Sequence, residues 1–338
     1  MTASIDQPAT TSPEVGGGRP HVAVGVDGSA GSRAALVHAL IAATRRGADL
    51  DVVSTYGIEL YYLGGAPLDV LDTAALQDDC EGRARAMVAE VQDELAGSFA
   101  PGIRDIGISL FVSAGPAAPA LLDRSEGAAL LVVGSRGRGA MRSALLGSVA
   151  LHCATHASCP VVVVHPPGVE ARTSARVVVG VDGSDSSRAA LAAAVDEATR
   201  MGAEIEAVAT YVTTDYWTDL STIVIPSVEE IRSDLERRTR RLVDEVLAQS
   251  RNRGEPSGVT VRTEVVEGPA GEVLVRRAGS ADLLVVGSRG RGAFRDLLLG
   301  SVALHCAMHA PCPVMVVHPS RSGSTAATPR SAPSMADR

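Results

Sequence analysis

The sequence predicts an α/β protein of two tandem domains, each an open five-stranded parallel sheet flanked by helices. Three observations predict it. Short β-branched apolar runs alternate with segments of helical length and period, the pattern of successive βαβ units. The whole order then repeats: Val177 to Leu191 reproduces Val22 to Leu36 at an offset of 155 residues, including Gly-Val-Asp-Gly-Ser and Ser-Arg-Ala-Ala-Leu. Lastly, a glycine-rich turn follows an apolar run in each half. It reads Gly134-Ser135-Arg136-Gly137-Arg138-Gly139 through Gly147-Ser148-Val149, and returns 153 residues later as Gly287-Ser288-Arg289-Gly290-Arg291-Gly292 through Gly300-Ser301-Val302. The change of offset falls in the variable middle, so the halves are duplicated domains rather than short solenoid repeats. At 338 residues the chain is long enough for each half to bury its own core.

Taken in order, residues 1–19 are rich in Thr, Ser, Pro and Gly and read as a flexible tail. The first strand is His21 to Val26, running into Asp27-Gly28-Ser29. A helix follows from Ser32 to Arg46, with Ser32 or Ser29 as N-cap and Gly47 as its stop. The second strand is Leu50 to Tyr56, and Gly57 to Ala75 has no regular pattern. Helical period returns from Leu76 to Leu95, ended by Gly97. A third strand near Ile108 to Val112 leads through Gly115-Pro116 to a helix over Ala117 to Ser125. The fourth strand is Leu130 to Val133, followed by the glycine loop and a helix from Ser148 to His156. Pro160 precedes a fifth strand, Val161 to His165. In the second half, Val228 to Ala248 takes the place of the long middle helix. The expected divisions are a tail over 1–19, domains over 20–166 and 175–319, a linker over 167–174 and a tail over 320–338.

Composition excludes several classes. A net charge of −8 argues against a nucleic-acid partner, which calls for a basic face. Every one of the 31 basic residues is arginine, which removes Schiff-base chemistry and the lysine of a Walker P-loop. No apolar run approaches the roughly 18–20 residues that span a bilayer, and residues 1–20 carry no hydrophobic signal core. The five cysteines are too sparse and uneven for a disulfide framework. A cytoplasmic protein without membrane contact is expected.

The chemistry concentrates at one sheet edge. Strand, glycine-rich turn and helix together aim backbone N–H groups and a helix N-terminus at an anion. Glycine lets the backbone approach a ligand closely, and Ser148 or Ser301 adds a hydroxyl to a helix start. Arg136 and Arg138 add positive charge. Each loop is therefore read as a cradle for the phosphates of a nucleotide. Asp27 and Asp182 stand past the carboxyl end of a first strand, where ligands of open parallel sheets bind. Such a carboxylate can accept from ribose hydroxyls or support a metal ion. It can equally cap the helix or order the turn.

With those residues in view, the chain resembles the universal stress protein family, in the tandem form found in mycobacteria. Gly134-x2-Gly137-x9-Gly147-Ser148 and Gly287-x2-Gly290-x9-Gly300-Ser301 look like that family's ATP-binding motif. The Gly115-Pro116 and Gly268-Pro269 pairs and the closing Cys-Pro-Val strands fit it too. The resemblance implies a Rossmann-like sheet of adenine-nucleotide α-hydrolase type. It implies ribose contacts from Asp27 and Asp182, with their neighbours Gly28 and Gly183 in the nucleotide site. Phosphate contacts would come from Gly134, Gly137, Gly147 and Ser148, and from Gly287, Gly290, Gly300 and Ser301, with Arg136, Val149, Arg289 and Val302 in the same nucleotide sites. Leu50 and Ile205, on the second strands, would line the adenine pocket. Two ATP molecules per chain follow, with Mg²⁺ or Mn²⁺ on the phosphates. The resemblance also implies that Val161–Val164 and Val314–Val317 pair within the chain, with a further homodimer open.

The implied function is a nucleotide-dependent regulator of stress or growth state. The rival is a slow ATP hydrolase or autophosphorylating enzyme, against which the sequence offers no lysine, Walker pattern or evident base beside the loop. A third reading is cyclic-AMP binding. Cys153-x2-His156-x2-Cys159 recurs as Cys306-x2-His309-x2-Cys312, with His152 and His305 just ahead. Zinc ligation and buried cysteines that pack helix onto sheet both account for it, and adjacent prolines with no fourth ligand favour packing. Tyr211, Tyr216 and Trp217 read as pocket wall.

Overall fold

The strands of both halves lie in a single ten-stranded sheet. The structure is a computed structural model that describes residues 19–57, 73–96, 102–138, 146–166, 175–213, 227–254, 258–291 and 299–319. The predicted linker and C-terminal tail, nearly all of the N-terminal tail, and Gly139, Gly292, Tyr216 and Trp217 lie outside the described residues. The first half contains β1 (His21–Gly25), α1 (Ala30–Arg46), β2 (Asp49–Tyr56), α2 (Thr73–Ala96), β3 (Ile108–Ala114), α3 (Ala117–Ser125), β4 (Leu130–Gly134), α4 (Ser148–His156) and β5 (Val161–Val164). The second repeats it as β6 (Arg176–Gly180), α5 (Asp185–Met201), β7 (Glu204–Tyr211), α6 (Val228–Asn252), β8 (Val261–Glu267), α7 (Ala270–Ala278), β9 (Leu283–Gly287), α8 (Ser301–His309) and β10 (Val314–Val317).

Local chemistry sets the boundaries. Of the two candidate N-caps, Ser29 is the one used: its hydroxyl accepts from the Ser32 N–H at 3.1 Å, and α1 begins at Ala30. Gly47 ends α1 in the left-handed region at φ 58°, and its N–H reaches the Ala43 and Thr44 carbonyls. Ser184 and Gly202 do the same for α5. A capping box of Ser227 and Glu230 starts α6, which continues past Ala248 to Asn252.

Within each half all strand pairs are parallel. The two five-stranded sheets meet at one place, giving the strand order β3-β2-β1-β4-β5-β10-β9-β6-β7-β8. β5 and β10 pair antiparallel, Val163 against Val314, Val162 against Met315 and Val161 against Val316, and fuse the sheets into one of ten strands. The reason is physical: each of these strands is wholly buried, and an apolar edge left open would be a pairing template. Val162 and Met315 occupy equivalent positions in the two halves, so the register places an approximate two-fold axis between them. The fifth-strand pairing implied by the family resemblance is thus present.

Helices cover both faces. Residues of α1, α2, α5 and α6 share one core that runs across both halves, including Leu36, Leu40, Val91, Leu191 and Val246. The other face packs α3, α4, α7 and α8 through Leu121, Cys153, Leu274 and Cys306. Where α1 meets α5, Arg46 and Glu197 form an ion pair with side chains only 7% and 12% exposed. On the opposite face His165, just past β5, donates from Nε2 to the Ala307 carbonyl of α8 at 3.0 Å. The halves are therefore joined by strand pairing, a shared core and polar contacts.

Candidate functional site

Each half opens a cavity outside the carboxyl ends of its strands, of about 550 Å³ in the first and about 620 Å³ in the second. The first is bounded by the β1–α1 turn, the loop after β4 and the start of α4. Gly147 caps α4 without a side-chain hydrogen bond, and the first bond along the helix runs from the Leu151 N–H to the Gly147 carbonyl at 3.0 Å. The N–H groups of Ser148, Val149 and Ala150 thus begin the helix without intrahelical acceptors, and all three residues line the cavity. That end carries the positive pole of the helix dipole.

The glycine loop is tied down on both sides. The Ser135 N–H donates to the Val164 carbonyl at 2.7 Å, and the Ser135 carbonyl accepts from the Gly147 N–H at 2.8 Å. Asp27 supplies a third tie. Its Oδ1 accepts from the Ser29 N–H at 2.9 Å and the Ser29 hydroxyl at 2.6 Å, and its Oδ2 accepts from the Arg138 N–H at 2.9 Å. Burial alone would raise the Asp27 pKa, but the bonds from Ser29 and Arg138 prevail and hold it below the ordinary value. Of the roles open to this carboxylate, ordering the turn is therefore the one visible in its contacts, and it extends to clamping the loop.

Packing explains the glycines unequally. A Cβ on Gly137 would fall 2.5 Å from Asp27 Oδ2, and one on Gly134 would fall 2.7 Å from the Gly31 backbone. Gly28 sits at φ +83° beneath the Arg138 guanidinium. Gly147 differs: at φ −75° its Cβ would meet the Ser135 carbonyl oxygen at 3.4 Å, close to an ordinary contact. The protein around it does not demand glycine, and Gly147 lines the cavity.

The second site repeats the first. Asp182 accepts from the Ser184 N–H at 2.9 Å and the Arg291 N–H at 3.0 Å. Ser288 bridges the Val317 carbonyl at 2.8 Å and the Gly300 N–H at 2.7 Å. Every residue that lines both cavities is the same in the two halves, from Val26, Asp27, Ser32, Val53 and Thr55 in one to Val181, Asp182, Ser187, Val208 and Thr210 in the other.

Most predicted residues come together here. Asp27, Gly134, Arg136, Gly137, Gly147, Ser148 and Val149 line the first cavity; Asp182, Gly287, Arg289, Gly290, Gly300, Ser301 and Val302 line the second. Gly28 and Gly183 sit one residue outside, under Arg138 and Arg291. Leu50 and Ile205 are a correction. Both lie at the amino-terminal ends of β2 and β7, paired with Val22 and Val177 and buried in the core under α1, α2, α5 and α6. Val53, Thr55, Val208 and Thr210, near the carboxyl ends of the same strands, line the cavities instead. Tyr211 is buried at the end of β7 and does not line the second cavity. Sequence reasoning also missed Val26, Leu121 and their counterparts Val181 and Leu274, which form apolar walls.

The repeated Cys/His pattern separates in space. Cys153, Cys159, Cys306 and Cys312 are buried against the sheet, and burial with the neighbouring Cys159 pushes the Cys153 thiol up to about 12. His156 and His309 face outward. Among the described residues no group of three or more His, Cys, Asp or Glu side chains could hold a metal ion. The donor set at each cavity is backbone N–H groups and arginine, with one carboxylate among the described residues, Asp27 or Asp182, whose oxygens already accept from the turn and the loop; it suits an anion and does not fit a protein-held Mg²⁺ or Mn²⁺. No described helix is long and apolar enough to cross a membrane.

Comparison with known proteins agrees with this architecture. The family model described as "Universal stress protein family" matches residues 18–165 and again 174–318. A universal stress protein of Mycobacterium tuberculosis is 33% identical over 301 residues, covering 88% of this chain and 97% of the relative. One of Mycolicibacterium smegmatis is 40% identical over 200 residues, 59% of this chain and 65% of the relative. Among solved structures, a universal stress protein from Archaeoglobus fulgidus superposes with a TM-score of 0.58 at 19% identity, covering 88% of this chain and 98% of that one.

Proposed function

The chain belongs to the universal stress protein family, and from that premise we propose that it is a cytoplasmic ATP-binding regulator with one nucleotide site in each half. A single observation carries the reading: two cavities of nucleotide size, each floored by a helix N-terminus and a clamped glycine loop, share the same lining residues. The phosphates would lie over Gly134 to Arg138 and the first turn of α4, with base and ribose toward Val26, Val53, Thr55 and Leu121. The clamped loop would bind with little ordering cost. Any Mg²⁺ or Mn²⁺ would arrive on the nucleotide's own phosphates.

Binding rather than turnover is favoured by what Asp27 does. It is the carboxylate lining the first cavity among the described residues, and its three hydrogen bonds leave it poorly placed to activate a water. The test is to purify the protein without added nucleotide, denature it and identify what is released. ATP approaching two per chain supports the regulator. Predominant ADP would replace it with hydrolysis, cyclic AMP would replace ATP as ligand, and an empty protein that ignores added ATP would refute the assignment.

A further inference from the structure

The histidines that the cysteine pattern left over are themselves arranged for chemistry. His152 and His156 stand one helical turn apart on α4, both exposed, with ring centroids 4.3 Å apart and planes at 28°. Their i, i+4 spacing on one face is the spacing by which paired helical histidines ligate a metal. His156 Nδ1 lies 3.0 Å from the His152 carbonyl oxygen. A carbonyl only accepts, so the proton is on Nδ1 and the Nε2 lone pair is free. Metal-binding imidazoles are oriented by such a bond from the second ring nitrogen to a backbone carbonyl.

The equivalent pair on α8 is less free. His305 and His309 have centroids 4.6 Å apart and planes at 43°. His305 is half-buried and leans over α7, where a Cβ on Gly271 would fall 2.8 Å from its Cδ2. The first half has Ala118 at that position, and its Cβ fills the space into which His305 leans. His152 is accordingly left outside.

We propose that His152 and His156 form a chelating site on α4 for a divalent transition metal of the imidazole-preferring class, completed by water. Cu²⁺ binds it tightest, ahead of Ni²⁺ and Zn²⁺, as the order of affinities for nitrogen ligands requires. A metal here cross-links one turn of the helix whose first turn floors the nucleotide cavity. The site does not depend on the nucleotide reading.

The experiment uses the full-length chain with no added histidine tag, stripped with EDTA and titrated with Cu²⁺ against a colorimetric competitor. Electron paramagnetic resonance reports the nitrogen donors. The expected result is one Cu²⁺ per chain held by two imidazoles. Affinity should fall by about tenfold or more in His152→Ala and in His156→Ala, because the second imidazole binds intramolecularly. It should survive in His305→Ala/His309→Ala. Both α4 side chains are exposed, so circular dichroism of the metal-free variants should match the parent. Unchanged affinity in the α4 variants overturns the proposal, as does a single-imidazole spectrum or loss confined to the α8 variant.

Discussion

Replacing Asp27 by Asn should loosen the first glycine loop while leaving the second intact. The carboxylate serves three donors: the Ser29 N–H and hydroxyl on Oδ1, and the Arg138 N–H on Oδ2. An amide retains one oxygen. If that oxygen stays with Ser29, the amide nitrogen faces the Arg138 N–H, donor against donor. A hydrogen bond to a charged acceptor contributes about 1.5–3 kcal/mol. Arg138 is exposed, so water recovers part of this, leaving a net loss on the order of 1.4 kcal/mol, or tenfold in an equilibrium. Amide exchange at Arg138 should accelerate by about that factor, and ATP affinity at the first site should weaken similarly. The pH dependence has a definite sign. Burial opposes the charged form of Asp27 but is outweighed by the bonds from Ser29 and Arg138, so its folded pKa lies below the ordinary 3.8. The clamp's contribution is complete above 3.8 and is lost as pH falls through the lower folded value. The Asn variant lacks that acid limb. Unaltered Arg138 exchange, or equal weakening at both sites, would refute the clamp.

Two further outcomes follow from the same packing. Gly147→Ala should keep the fold, at a cost below about 1 kcal/mol for a poorer N-cap, yet lose nucleotide binding at the first site. Gly137→Ala, whose Cβ meets Asp27 Oδ2 at 2.5 Å, should lower the melting temperature as well; equal stability in the two variants would contradict this account. Glu197→Ala should cost about 3 kcal/mol in urea unfolding, at the low end for breaking a buried ion pair, since Arg46 keeps the Ala42 carbonyl at 3.0 Å. Glu197→Ala/Arg46→Met installs the residues found at the two-fold related positions, Ala42 and Met201, and should recover most of that loss.

Much of this structure is legible in the residues. Alternating apolar runs and the repeat give the five strands of each half, and Ser29, Gly47 and Gly202 mark helix ends by their own chemistry. The choice of Ser29 over Ser32 is not legible, because either can cap and only the Asp27 contact selects one. That β5 and β10 pair is implied only by the family resemblance, since a four-residue apolar strand does not name its partner, and their antiparallel direction is visible only in the structure. Leu50 lies on the expected strand but at its amino-terminal end, because strand identity alone does not fix which edge a residue faces. Five residues separate it from Thr55, about 16 Å at 3.3 Å per residue, so it sits at the opposite edge from the cavity. The rule that ligands lie beyond carboxyl ends, applied to β2 itself, selects Val53 and Thr55. The clamp roles of Arg138 and Arg291 are not legible, because a backbone N–H as clamp partner leaves no trace in sequence.

The most direct measurement is a calorimetric titration of nucleotide-free protein with ATP. Identical linings predict two molecules per chain with intrinsic affinities equal within a few-fold, reduced to one by Gly300→Ala. Saturation of the parent at one per chain, or no heat beyond dilution, would contradict the paired-site account.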